Sequence, residues 1–203
     1  MRQSKKTIIL KQVIVITGTP GVGKTSVSER LAAKLEAFHI DLTDLVKSER
    51  LSSGYDRRRQ TLLSDTDELA KRVRQIVKQS RGRLIIDGHY ATSVVSKREV
   101  SRVFVLRCHP QQLKQQMEER GFKGAKLWEN LAAEILDVCL YDAIKEMGLG
   151  KVCEIDITDK TVDETVEEIA SILRCEKDCI VGFIDWLGKL EEESVLDQYL
   201  KEF

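Results

Sequence analysis

The chain has 203 residues, a length that suits one domain with a small appendage. Lys and Arg together number 33, as do Asp and Glu, and this zero net charge disfavours a globally basic nucleic-acid binder. No apolar run approaches the roughly 20 residues that span a bilayer, and the polar, basic residues 1–7 lack a signal-like apolar core. We therefore expect a cytoplasmic protein with no membrane contact.

Apolar periodicity predicts short strands that alternate with helices along the chain. A buried first strand is predicted over residues 8–16, followed by a helix over 24–37. Further strands are predicted at 38–41, 83–87, 103–106 and 152–157, and further helices at 65–79, 126–147 and 165–173. Asp41 or Thr43 is expected to cap a helix, and Pro110 to begin one. The weakly periodic residues 51–61 are predicted to form a mobile loop. This alternation predicts an α/β fold with parallel strand pairing.

Residues 18–25 read Gly-Thr-Pro-Gly-Val-Gly-Lys-Thr and fit the phosphate-binding pattern G-x-x-x-x-G-K-S/T. They join the first predicted strand to the first predicted helix, as such a loop requires. Glycine lets backbone N–H groups approach a phosphate closely, and the helix dipole adds positive charge at the same place. We expect Lys24 to reach the β- and γ-phosphates of ATP and Thr25 to ligate Mg²⁺. The residues expected to bind the nucleotide here are Gly21, Gly23, Lys24, Thr25 and Ser26.

Two polar residues follow the predicted strand at 83–87. Asp87 ends that strand, where open α/β sheets place their ligands, and a carboxylate there can hold Mg²⁺ through water. Its alternative role is a helix or turn cap. His89 lies two residues further and can orient an attacking water or steady a transferred phosphoryl group. A structural hydrogen bond is the alternative role for His89.

Arginine side chains that close over phosphates are a large electrostatic contribution to phosphoryl transfer. Arg107 follows the predicted strand at 103–106, and Arg120 opens a glycine-bracketed segment between two predicted helices. With Lys123 and Lys126, Arg120 makes this segment a candidate lid that would exclude water. A solvated turn with ordinary surface charges is the alternative.

Five cysteines occur in the chain, and their odd number in a protein expected to be cytosolic argues against a disulfide framework. Cys175 and Cys179 are four apart and would share one face of a helix. No histidine follows them, and the spacing is not that of a zinc ribbon. We therefore expect these cysteines to act as small apolar residues rather than as a metal or redox site.

The main domain is predicted to span residues 1–174, and a helical C-terminal extension to span residues 175–203. Apolar residues surrounded by acidic ones over 180–203 predict one or two amphipathic helices. These helices are expected either to pack on their own domain or to bind a partner.

Together these motifs resemble those of small nucleoside monophosphate kinases. More specifically, the chain is similar to the adenylate kinase type six family, also known as the ATPase family of small ribosomal subunit assembly, as an archaeal-like member. Mainstream adenylate kinases follow the Asp-Gly at 87–88 with an aromatic residue, Pro and Arg, whereas His89-Tyr90-Ala91 stands here. The resemblance runs from about Ile14 to about Leu173. Its supporting pieces are Asp44-Leu45 with Glu49, residues 54–56, 103–107 and 119–122, Lys126-Leu127 with Asn130, and Asp159-Lys160.

The resemblance implies a P-loop NTPase fold, in which a five-stranded parallel sheet is flanked by helices. It implies a monophosphate-binding segment over residues 41–64 and a lid over 119–129, with Arg120 on the triphosphate and the loop of Lys160 against the adenine. The implied reaction is a broad-specificity adenylate kinase reaction, ATP + AMP = 2 ADP, with Mg²⁺ and with slower ATP hydrolysis. The implied partners are ribosomal protein eleven of the small subunit and the pre-ribosomal small subunit, during late maturation of its RNA.

On this interpretation the catalytic residues are Lys24, Asp87, His89 and Arg120. Lys47 departs from the family, which often has an arginine there that grips the monophosphate bidentately. Residues 57–59, all arginine, replace a stretch that is usually acidic, and they could bind a monophosphate, contact RNA or be solvated. Two rival functions remain. One is an assembly ATPase whose hydrolysis drives release from a ribosomal protein, with kinase activity incidental, and the other is a kinase for another small metabolite.

Overall fold

The computed structural model describes residues 11–56 and 61–200. Seven strands lie in these residues: β1 (Gln12–Gly18), β2 (Phe38–Asp41), β3 (Ser52–Asp56), β4 (Thr61–Ser64), β5 (Arg83–Asp87), β6 (Val100–Arg107) and β7 (Val152–Asp156). Five of them form one sheet in the order β2-β5-β1-β6-β7, and every neighbouring pair is parallel. Because β1 lies at the centre, the loop that follows it opens at the middle of the sheet's carboxyl edge.

Helices connect the strands and cover the sheet. They are α1 (Lys24–Leu35), α2 (Leu42–Ser48), α3 (Thr66–Gln79), α4 (Ala91–Val94), α5 (Pro110–Glu119), α6 (Gly124–Ile135), α7 (Val138–Met147), α8 (Val162–Leu173), α9 (Trp186–Glu192) and α10 (Leu196–Leu200). Several of these helices begin after an Asp or Thr whose side chain accepts hydrogen bonds from the first backbone N–H groups. Asp41 accepts from two backbone N–H groups of α2, Asp65 does the same for α3, and Thr161 forms a capping box with Glu164 at α8.

Two apolar cores lie on the two faces of the sheet, and successive side chains of β1 point alternately into one core and the other. Ile14 and Ile16 pack with the helices of one face, while Val13 and Val15 pack with those of the other. All four side chains are fully buried. This arrangement explains why β1 is a continuous apolar run, and it confirms the predicted α/β fold with a five-stranded parallel sheet.

The predicted loop at residues 51–61 is wrong for part of its length. The backbone of β3 pairs antiparallel with that of β4, with Asp56 opposite Thr61. Such a ladder is held by main-chain hydrogen bonds and needs no apolar alternation, so periodicity could not reveal it. The arginines at 57–59 lie outside the described residues.

The long helix predicted over residues 126–147 is also wrong, because two helices occupy this stretch. Between α6 and α7 the backbone of Asp137 adopts a left-handed conformation, with φ of 56°. The change of direction turns Val138 and Tyr141 toward solvent, and Tyr141 is 66% exposed. Asp137 tolerates this conformation better than most residues, since its short side chain can hydrogen-bond locally.

The expectation that the cysteines form no disulfide is wrong for one pair. Cys153 of β7 is bonded to Cys179, 26 residues further along the chain. The two meet because the chain beyond α8 returns to the sheet, where the backbone N–H of Glu154 donates to the carbonyl of Ile180 over 2.9 Å. Cys175 is exposed, and buried Cys108 matches the expected apolar role.

The segment after residue 174 packs against the main domain. Leu190 of α9 and Tyr199 of α10 are buried in the same core as Ile14, and the Tyr199 ring meets the edge of the Trp128 ring in α6. Of the two alternatives for these helices, the described residues show packing on their own chain. No helix within residues 11–56 or 61–200 is long and apolar enough to cross a bilayer.

Candidate nucleotide-binding site

The loop between β1 and α1 has a backbone that requires glycine. Gly18 and Gly21 have φ of 138° and 100°, conformations that other residues rarely adopt. A Cβ on Gly18 would lie 2.4 Å from the carbonyl oxygen of Leu106, and one on Gly21 would lie 2.8 Å from the Met117 side chain. The glycines therefore let the loop pass closely over β6 and α5, so that it curls around the N-terminus of α1.

Lys24 begins α1 and folds back over the loop. Its Nζ donates to the carbonyl oxygens of Gly18 over 2.9 Å and of Thr19 over 3.0 Å. Desolvation of the ammonium group lowers the pKa of Lys24, while the negative charge of the nearby Asp87 carboxylate opposes that change. A cation held in this way can exchange its two carbonyl partners for phosphate oxygens of a bound nucleotide.

Thr25 joins two carboxylates at the carboxyl edge of the sheet. Its Oγ1 lies 3.2 Å from Asp87 Oδ2 and 3.0 Å from Asp41 Oδ2. The carboxylates are adjacent because Asp41 ends β2, Asp87 ends β5, and the two residues are register partners. His39 also contacts this group, through a hydrogen bond between its Nε2 and Asp87 Oδ1.

The chemistry of this donor set fits Mg²⁺. Thr25, Asp41 and Asp87 offer hydroxyl and carboxylate oxygens, the hard ligands that Mg²⁺ prefers. No cluster of three or more His, Cys, Asp or Glu side chains suited to a metal occurs among the described residues. Such a cluster is not needed, because Mg²⁺ in nucleotide sites is held by one or two protein groups together with phosphates and water.

The pKa values of His39 and His89, which both lie near this site, are shifted in opposite directions. Burial opposes the charged form of His39, but the hydrogen bond and negative charge of Asp87 prevail and raise its pKa. The pKa of His89 is lowered to about 4 by desolvation of the imidazole and by the charges of Lys24 and Lys126. His89 is therefore neutral at physiological pH, so that one ring nitrogen can accept and the other can donate.

His89 lies on the loop that leaves β5, next to the P-loop. Its carbonyl oxygen accepts from Thr17 Oγ1 over 3.3 Å, and its ring meets the edge of the Tyr90 ring at 4.4 Å between centroids. Part of the residue is exposed, although surrounding groups desolvate its imidazole.

A cavity of about 220 Å³ lies beside the end of the loop and the start of α1. It brings together four of the predicted nucleotide-binding residues, which come from α1, the end of α5 and the loop before α8: Gly23, Ser26, Arg120 and Lys160. Arg120 Nη1 donates to the carbonyl oxygen of Gly21 over 3.0 Å, so the arginine lies against the P-loop. Lys160 pairs with Glu168 at 2.7 Å.

The expectation that Arg107 faces the phosphates is wrong. Its guanidinium is 1% exposed and is enclosed by carboxylates. Nε donates to Glu134 over 2.8 Å, Nη1 donates to Glu154 over 2.6 Å, and Nη2 donates to Asp137. Three acidic partners fully engage this cation inside the protein, and it is unavailable to a ligand.

The chain is similar to known proteins over most of its length. A family model described as an AAA domain matches residues 14–137. A putative adenylate kinase of Methanocaldococcus jannaschii is 38% identical over 184 residues, which cover 91% of this chain and 98% of the relative. Proteins of the same name from Thermococcus onnurineus and Saccharolobus islandicus are 35% and 33% identical, over 93% and 92% of this chain and 97% and 93% of theirs. The chain belongs to this family of archaeal putative adenylate kinases.

Solved structures agree with the family at the level of the fold. A shikimate kinase from Bacteroides thetaiotaomicron has a TM-score of 0.51 at 13% identity, covering 80% of this chain and 98% of its own. A gluconokinase from Sinorhizobium meliloti has a TM-score of 0.50 at 16% identity, covering 84% and 99%. Both are similar to this chain in fold.

Sequence reasoning missed two parts of the site in this family member. Asp41 was expected only as a possible helix cap, although it ends a strand as Asp87 does and the same rule would have singled it out. Glu134 accepts from Thr19 of the P-loop and from Trp186. No local pattern predicts these contacts, since the three residues are far apart in sequence.

Proposed function

We propose that this protein is a nucleoside monophosphate kinase that transfers the terminal phosphoryl group of ATP to AMP and yields two ADP. The observation that supports it most is the convergence of Lys24, Thr25 and Asp87 at one sheet edge, beside a cavity bordered by Arg120. Phosphoryl transfer uses a cation on the phosphates, groups that hold Mg²⁺ and an arginine that closes over the phosphates. Lys24, Thr25 with Asp87, and Arg120 would supply these three components. The relatives that share this chain's length are named for the same reaction.

In the proposed reaction, a phosphate oxygen of AMP forms a bond to the γ-phosphorus of ATP while the bond to the β,γ-bridging oxygen breaks. The P-loop N–H groups and Lys24 neutralise charge on the β- and γ-oxygens. Arg120 adds positive charge from the opposite side. Thr25, Asp87 and Asp41 would hold Mg²⁺, which when bound draws negative charge from the phosphates. Catalysis then rests on positioning and electrostatics rather than on a covalent protein intermediate.

Two segments are proposed to move around these residues. Residues 41–64 would receive the monophosphate, next to the carboxylates that begin the segment. Residues 119–129 would act as a lid, because Arg120 already contacts the P-loop and glycines with positive φ occur at 121 and 124. Residues 1–174 would form the kinase unit, and residues 175–203 an extension of it.

ATP hydrolysis is the second candidate function, and His89 is the observation that favours it. A neutral imidazole next to Lys24 can accept a hydrogen bond from water and orient it toward the γ-phosphate. The Asp-Gly-His sequence at 87–89 also underlies the proposed place in the type six group. A role in late maturation of the small ribosomal subunit, with ribosomal protein eleven as partner, rests on that resemblance alone.

A coupled assay with Mg-ATP, with and without AMP, separates the two candidates when wild type is compared with His89→Ala. We expect AMP to raise ADP formation far above hydrolysis, and His89→Ala to retain most of this AMP-dependent rate. The kinase proposal is wrong if AMP adds nothing to the rate. If hydrolysis without AMP is the main activity and collapses in His89→Ala, the chain is an ATPase in which His89 orients the water.

A further inference from the structure

Trp186 connects the C-terminal extension to the interior of the main domain. It begins α9, is 3% exposed, and its Nε1 donates to Glu134 Oε1 over 3.0 Å. Indole has a single donor and a buried indole usually satisfies it, but here the acceptor is a buried carboxylate of the main domain. A contact of this kind fixes the orientation of the acceptor as well as that of the indole.

The same carboxylate also holds the P-loop. Oε2 of Glu134 accepts from Thr19 Oγ1 over 2.5 Å, and Thr19 is fully buried. The carbonyl oxygen of Thr19 accepts in turn from Lys24 Nζ. A chain of three hydrogen bonds thus connects the Trp186 indole, through Glu134 and Thr19, to the Lys24 ammonium group that is expected to contact the phosphates.

Glu134 is constrained by donors on both of its oxygens. Oε1 accepts from Arg107 Nε, from the backbone N–H of Cys108 over 3.1 Å and from Trp186, while Oε2 accepts from Thr19. Three of these four donors share Oε1, and Thr19 binds Oε2. Loss of the indole removes one of the three donors that hold Oε1 in place, and the carboxylate can then rotate toward its remaining partners and away from Thr19.

From these contacts we propose that Trp186 is a positioning residue for phosphoryl transfer, acting through Glu134 and Thr19 on the P-loop and Lys24. This inference rests on the proposed kinase function and makes the C-terminal extension part of the catalytic unit.

Independent anchors keep the extension in place when the indole is changed. The Cys153–Cys179 disulfide ties its start to β7, and the backbone N–H of Gly182 donates to Glu154 Oε2 over 2.9 Å. Leu190 and Tyr199 add buried apolar contacts beyond Trp186. A substitution that removes only the indole N–H should therefore leave the extension docked.

Trp186→Phe is the first test, since it keeps an aromatic ring and removes the donor. We expect kcat for ADP formation from Mg-ATP and AMP to fall about threefold to tenfold, the range set by one lost hydrogen bond, with KM for AMP unchanged. Leu190→Val is the matched control, because it loosens the same helix without touching Glu134. Urea unfolding of both variants shows that they fold and how much stability each has lost. A control variant with the same fall in kcat at equal stability would overturn the proposal.

A double-mutant cycle with Thr19→Val is the second test. If Trp186 acts through Glu134 on Thr19, the double variant is as slow as Thr19→Val alone, so the two effects are not additive. Additive losses, or a Trp186→Phe protein with wild-type kcat, would overturn the inference while leaving the kinase function intact. A wild-type protein without AMP-dependent transfer would instead refute the proposed function. In that case the same four proteins are compared by their affinity for Mg-ATP, measured by calorimetry. Additive losses of affinity in the double variant would then overturn the inference about Trp186.

Discussion

Arg107 and Glu134 form an ion pair in the interior, with Nε and Oε1 2.8 Å apart and both side chains 1% exposed. Glu154 and Asp137 bind the same guanidinium, so one cation meets three carboxylates. The pair joins the end of β6 to the end of α6, below the P-loop. The arginine expected on the ligand is thus part of the framework that supports the site.

Replacing Arg107 by Ala should strongly destabilise the protein. Removal of one partner of a buried pair leaves uncompensated charge, which typically costs about 3–5 kcal/mol, and here more than one carboxylate would lose its partner. Urea unfolding of wild type and Arg107→Ala measures the difference in unfolding free energy. Exposed Arg30, which pairs with Asp163 at the surface, is the matched control, and its Ala variant should change the free energy far less because solvent screens the pair. Equal effects of the two substitutions would contradict the assigned role of Arg107.

Glu154 should give the protein a recognisable pH dependence. Burial raises the pKa of Glu154 above its ordinary value, although Arg107 opposes this. Between the ordinary and the raised pKa, the folded state binds more protons than the unfolded state, so the unfolding free energy contributed by this residue falls as pH rises. Relative to wild type, Glu154→Gln should therefore gain stability from pH 4.5 to pH 7, as measured by urea unfolding at several pH values. Acidic residues far from Glu154 have the same surroundings in both proteins, and their contributions cancel in the comparison. A difference that stays constant with pH would refute the prediction.

Much of the fold could be predicted because its elements carry local signals. The apolar run of β1 and the glycines of residues 18–25 predict a strand and a phosphate loop without knowledge of distant residues. A capping residue marked a helix start in the same way, since Asp41 was expected to cap a helix and caps α2. Asp87 could be assigned to the site because strand ends in a parallel sheet meet at one edge.

The remainder depends on contacts between residues far apart in sequence. The break at Asp137 interrupts a regular apolar pattern, and the Arg107 that meets it lies 30 residues away. The partner of Cys179 could not be identified by counting cysteines, because the pairing depends on the return of the chain to β7. His39 reaches Asp87 only through the register of β2 and β5. Tertiary packing decides each of these, and it leaves no periodic trace in the sequence.

Lys24→Ala should abolish most of the catalytic activity while leaving the fold intact. The ammonium group is preorganised by two loop carbonyls, and loss of one such donor to developing charge costs on the order of 10²-fold or more in kcat. The coupled assay with Mg-ATP and AMP measures this, and circular dichroism checks that the variant folds. Lys34→Ala is a suitable control, because Lys34 lies on the same helix and pairs with Glu167 at the surface. Near-normal turnover in Lys24→Ala would remove the P-loop from the mechanism.

The three free cysteines should differ in their reactivity toward iodoacetamide under native, non-reducing conditions at pH 8. Cys175 is exposed and should be alkylated first. Burial raises the pKa of the Cys108 thiol to about 12, so almost no thiolate forms and this residue should stay unmodified. Cys139 is half-buried with a raised pKa and should react slowly.

Denaturation in the same experiment distinguishes cysteines that the disulfide protects from alkylation from those that burial alone protects. In urea without reductant, mass spectrometry should find three alkylated cysteines, since Cys153 and Cys179 remain bonded to each other. Reductant should raise the number to all five. Cys175→Ser should lack the fast native label and identify its position. Five alkylated residues in urea without reductant would show that the two thiols are free, and the start of the extension would then be held to β7 by hydrogen bonds alone.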